Sequence, residues 1–99
     1  MNTQSFRDSV ATGDKPPGQL TPALEALWWT RKGEWRRAHA VVQEEENQEA
    51  AWVHAYLHRI EGDLSNAGYW YRRAGQPMPS ASERLDEEWE AIVAVLLPS

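Results

Sequence analysis

A chain of 99 residues, 41% hydrophobic and 25% charged, has the balance of one globular domain with a single core. Its formal net charge of −5 opposes the basic footprint that phosphate binding requires, so the composition argues against nucleic acid despite the local cluster Arg31, Lys32, Arg36 and Arg37. Cysteine is absent, which removes disulfides and thiolate metal sites, and the most apolar run, Ala91–Leu97, is far short of the roughly 20 residues that cross a bilayer. The expectation is a cytoplasmic protein with no membrane contact.

Residues 1–20 are polar, contain Pro16 and Pro17, show neither helical nor strand periodicity, and read as a flexible tail without a secretory signal. Order is expected to begin at residue 21 and to form one helical-repeat domain over 21–99. Thr21 is placed to cap a helix over Pro22–Lys32, whose first position suits proline, and Leu24, Leu27 and Trp28 form its apolar stripe. Gly33 ends it. Trp35, Ala38 and Val42 predict a second helix over Trp35–Glu44, running into a carboxylate cluster that opposes the helix dipole. Asn47 opens a third helix over Gln48–Glu61, apolar on most of its circumference and therefore central. A fourth follows over Leu64–Ala74, with Gly75 as a left-handed cap and Pro77 and Pro79 forbidding continuation. Ser80 and Glu83 have capping-box spacing before a last helix over Ser82–Leu96, striped by Leu85, Trp89, Ile92 and Leu96. The result is an all-α protein with no strand.

An internal repeat runs through the middle of the chain. At one offset of 29 residues, Ala26 matches Ala55, Gly33 matches Gly62, Glu34 matches Asp63, Trp35 matches Leu64, Ala38 matches Ala67 and Val42 matches Tyr71. The glycine permits a tight reversal between two helices, the large residue two positions on anchors the second helix, and the alanine lets the pair approach closely.

In the second copy, Ala55, Gly62, Leu64, Ala67, Tyr71, Ala74 and Pro79 stand in the order of a small residue, a turn glycine, a bulky residue, a second alanine and an aromatic, and this pattern resembles a tetratricopeptide-like helical repeat. It departs from that family in its period of 29 rather than about 34, in Glu45 where the family has a small residue, and in having only two copies where about three are normally needed. The resemblance implies two antiparallel helix hairpins, about 22–46 and 51–79, with a capping helix over 81–97 standing in for the missing neighbour. It further implies a non-catalytic module for a protein or peptide partner, with room for a homo-oligomer.

By the family's geometry the first helix of each pair lines a concave surface, which in the second copy places Trp52, Tyr56 and Arg59 there. Aromatic and arginine side chains are frequent interface anchors, whereas the plainer reading packs Trp52 and Tyr56 on the first repeat. Arg59 on an apolar helix needs a partner, either a ligand carboxylate or an internal one.

His54 and His58 are four apart and share a helical face, with Tyr71 expected opposite and Glu25 as the first-copy equivalent of His54. These groups could bind a metal, orient a small polar ligand or only hydrogen-bond one another; His54 and His58 alone lack a third metal ligand, so no cofactor is expected. His39 could join them only through packing. Nucleophile elbows and glycine-rich phosphate loops are absent, and the carboxylates cluster at "QEEENQE" and "RLDEEWE" as solvated helix faces, so nothing points to catalysis.

Overall fold

The computed structural model describes residues 1–98 and contains six helices and no strand among them; Ser99, the last residue of the expected domain, lies outside the described residues. They are α1 (Thr3–Thr12), α2 (Pro22–Arg31), α3 (Trp35–Gln43), α4 (Gln48–Ile60), α5 (Leu64–Ala74) and α6 (Leu85–Leu96). None is long and apolar enough to cross a membrane.

Local chemistry accounts for most boundaries. The Thr21 hydroxyl accepts from the Leu24 amide at 3.3 Å, the Asn47 side chain from Ala50 at 2.8 Å, and the Asp63 carboxylate from Asn66 at 3.2 Å, each satisfying an orphan amide of a first turn. At the other ends, Gly33 and Gly62 take φ of 89° and 84°, a left-handed conformation that side chains resist. Their hydrogen bonds repeat as well: Gly33 donates to Thr30 and Glu34 to Trp29, just as Gly62 donates to Arg59 and Asp63 to His58. The 29-residue offset is thus a repeat of backbone geometry, not only of residue type. In both copies a three-residue connection reverses the chain, so that α2 packs on α3 and α4 on α5, while α4 also lies against α2 and α3. Ala26, Ala38, Ala55 and Ala67 are all completely buried, as close helix approach requires.

Two expectations change. Residues 1–20 are not a structureless tail, because α1 is built from them. Asn2 and Ser5 form a reciprocal capping box, with each side chain accepting from the other's amide at 2.8–3.0 Å, and Phe6 and Val10, one turn apart, are buried on the core. Three contacts fasten this helix: Phe6 meets Trp89 with ring centroids 5.8 Å apart, the Trp28 indole donates to Ser9 Oγ at 3.0 Å, and Lys32 Nζ donates to the Val10 carbonyl at 2.9 Å. The last helix also starts later than expected. Ser80 and Glu83 form only a backbone turn, and α6 opens one turn on, where the Glu87 carboxylate accepts from the Arg84 amide at 3.0 Å.

The core is formed by α1, α2, α3, α4 and α6 around Phe6, Leu27, Trp28, Leu57, Trp89 and Ile92. The Trp89 indole donates to the Leu27 carbonyl at 2.9 Å, which satisfies its one buried donor and sets the seat of α6 on α2. Helix α6 rests on α1, α2 and α4, and α5 packs on α4 and reaches α6 only through the Tyr71 side chain.

Candidate functional site

Three imidazoles meet where α3 crosses α4. Helix α4 supplies His54 and His58 one turn apart, and α3, set against it by the Gly33 turn, brings His39 from the preceding helix pair. His39 Nε2 lies 3.0 Å from His54 Nε2, one donating and the other accepting. His58 Nδ1 lies 2.6 Å from the Glu61 carboxylate. Since a carboxylate only accepts, Nδ1 carries the proton and Nε2 of the neutral ring is left bare. One ring nitrogen from each histidine falls within 4.8 Å of the other two.

Aromatic stacking holds the rings in place. Trp35 lies parallel to His39 at 4.8 Å between centroids, Trp70 of α5 parallel to His54 at 4.0 Å, and His54 over His58 at 4.9 Å. Trp35 is itself pinned by donating its indole N–H to the Leu57 carbonyl at 2.8 Å. His54 and His58 are buried and His39 is half-buried, so the cluster touches solvent through α3. Burial first, and then the nearby His39 and His58, hold the His54 pKa down at about 4. His39 is also lowered, by burial and by His58, with Glu61 opposing. Burial thus favours the neutral form of His39 and His54.

Tyr71 and Glu25 are not part of this cluster. Tyr71 is buried, but its hydroxyl turns toward α6 and donates to the Glu88 carboxylate. Glu25 is half-buried in the first turn of α2 and, among the described residues, makes no hydrogen bond to a histidine. A second group, His58, Glu61 and Asp63, also brings three ligand atoms together, two of them on exposed carboxylates.

The expected concave surface is occupied by the chain's own C-terminal helix. Arg59 Nη1 donates to Glu88 Oε1 at 2.7 Å and Nη2 to the Glu83 carbonyl, with the Arg59 and Glu88 side chains only 9% and 4% exposed. The Tyr56 hydroxyl donates to the Leu85 carbonyl at 3.1 Å, and Trp52 is half-buried between the main core and the smaller cluster of Ala55, Ala67 and Tyr71. A cleft of about 340 Å³, lined by Thr30, Arg31, Tyr56, Ile60, Leu85, Asp86 and Trp89, is what remains of this face. Arg59 thus has an internal carboxylate as its partner. Burial raises the Glu88 pKa, opposed by the bonds from Tyr71 and Arg59, and burial with the Glu88 charge pushes both Tyr56 and Tyr71 well above the ordinary phenol range.

Glu88 and His39 are the members that residue patterns did not single out. Glu88 sits in "DEEWE", where its neighbours are solvated, and the only hint was that Arg59 on an apolar helix demanded a counterion. Comparisons with family models, with curated proteins and with solved structures returned no match.

Proposed function

We propose that the chain is a non-catalytic, tetratricopeptide-like interaction module, two helix hairpins closed by a capping helix, that receives a helical segment of a partner protein on the outer face of α5. The observation that carries the reading is the unequal fate of equivalent residues. Trp35 and His39 on α3 face α4, the first helix of the next pair. Among the described residues, their equivalents 29 residues on, Leu64 and Gly68, face no further helix, and Leu64 is 57% exposed. A repeat array continues by stacking a new helix on this side, so the stripe suits a helical neighbour.

The surroundings suit a protein partner. Tyr69 is 44% exposed, Met78 is 40% exposed, and the Arg73 guanidinium lies over Trp70 at 5.2 Å, a mixture of aromatic, methionine and arginine groups enriched at interfaces. With α6 seated on Tyr56 and Arg59, the family's usual concave surface is narrowed to that cleft, which favours the α5 face for a helical partner. A cysteine-free chain suits a reducing compartment such as the cytoplasm.

The test is capture of a stoichiometric partner by the tagged chain, with sedimentation of the pure protein beside it, for wild type and Leu64→Glu. An exposed leucine can be charged without unfolding the domain, so Leu64→Glu is expected to keep the wild-type melt and lose the partner, or lose self-association if the partner is a second copy. A partner held equally by Leu64→Glu, or a strict monomer that captures nothing, overturns the reading.

A further inference from the structure

We propose that His39, His54 and His58 form a divalent transition-metal site of the zinc type, bridging the first helix pair to the second. The chemistry of the donor set selects the ion. Three imidazoles with no oxygen donor among them disfavour magnesium and calcium, and the absence of thiolate disfavours the soft cuprous ion, whereas imidazole suits zinc.

Geometry supports the assignment. In a tetrahedral site with Zn–N bonds of about 2.0–2.1 Å, two ligand nitrogens are separated by about 3.3 Å. The His39 and His54 Nε2 atoms, 3.0 Å apart, already stand within a few tenths of an ångström of that edge. A ring nitrogen of His58 lies within 4.8 Å of both, so the proposed site closes by His58 drawing in toward them. Glu61 is the second, independent observation. A metal-bound histidine ordinarily donates its other ring N–H to a carboxylate, which orients the ring and raises its basicity, and Glu61 takes the Nδ1 proton of His58 at 2.6 Å. Trp35 and Trp70, stacked on His39 and His54, form apolar walls on either side. A fourth position, toward the half-buried His39, is left for water or a donor from outside.

The site would join α3 to α4, one of the two helix contacts between the pairs, and an array of two repeats lacks the neighbours that normally stabilise a stack. An ion there acts as a staple across the repeat junction. This inference stands on the histidine geometry and is independent of the partner surface on α5.

Chelator-stripped full-length protein is titrated with zinc chloride by calorimetry and with cobalt(II) chloride by visible absorption, at pH 7.5. The expected result is one ion per chain, the intense absorption of four-coordinate cobalt, and a melting temperature raised by zinc and returned by chelator. His39→Gln, on the half-buried side of the cluster, should abolish one-to-one binding. Glu61→Gln, altered at an exposed carboxylate outside the ligand set, should fold normally and bind about 10- to 100-fold more weakly. No one-to-one binding by the wild type overturns the proposal. So does wild-type affinity in Glu61→Gln, or in a folded His39→Gln, which would place the ion on the His58, Glu61 and Asp63 group instead.

Discussion

The Arg59 guanidinium donates to the Glu88 carboxylate at 2.7 Å between α4 and α6, and both side chains are almost wholly withdrawn from water. The second carboxylate oxygen accepts from the Tyr71 hydroxyl, so one acidic group of α6 ties together the two helices of the second pair. Breaking such a pair from one side leaves a buried charge without compensation.

Arg59→Ala is therefore expected to destabilise the fold by roughly 3–5 kcal/mol, read from urea denaturation. Replacing both partners by apolar residues, Arg59→Met with Glu88→Leu, should recover most of that loss. A double variant as unstable as Arg59→Ala would show that the pair is not what holds α6 to α4.

A second expectation concerns the residue at the α4–α5 crossing. Ala67 is completely buried beside Ala55 and Tyr71 at the helix crossing. Ala67→Leu should cost roughly 1–3 kcal/mol through overpacking. An unchanged denaturation midpoint would mean that α5 slides on α4 without penalty.

Phe6 tests whether the N-terminal helix belongs to the core. Its ring is completely buried against Trp89, so Phe6→Ala should lose roughly 3–5 kcal/mol, as large-to-small changes in a core do. Arg7→Ala removes the pair with Glu90, whose side chains are 33% and 47% exposed, and should move stability by under about 1 kcal/mol. Equal and negligible effects of both variants would return residues 1–12 to a dispensable tail.

The metal-free protein should weaken in mild acid. His54 has a pKa near 4 in the fold against 6.5 for a free imidazole, because its proton would be buried beside His39 and His58. A depressed folded pKa means that the stabilisation is fully present above pH 6.5 and is lost as the pH falls through about 4. The whole span corresponds to roughly 3 kcal/mol. Denaturation midpoints of wild type and His54→Gln, compared at pH 7 and pH 4.5, should converge toward the lower pH; parallel losses in the two proteins would rule His54 out as the titrating group.

The helix boundaries from Thr21 to Gly75 were readable in the residues because the groups that set them are three to five positions apart. Asn47 caps α4 through the Ala50 amide, and Gly62 stops it through the Arg59 carbonyl, whatever the rest of the chain does. The repeat was legible for the same reason, since Gly33 and Gly62 each close a local hydrogen-bond ring with the same backbone conformation. Local signals were weaker in α1, where only Phe6 and Val10 among ten residues are large apolar groups, and burial of Phe6 depended on Trp89 arriving from the other end of the chain. The direction of Tyr71, the partner of Arg59 and the entry of His39 were likewise decided by tertiary structure. Each is a contact between separate helices, set by which faces the core leaves free, and composition treats Glu88 like the solvated carboxylates beside it. Only packing removed its water and gave it Arg59 and Tyr71 instead.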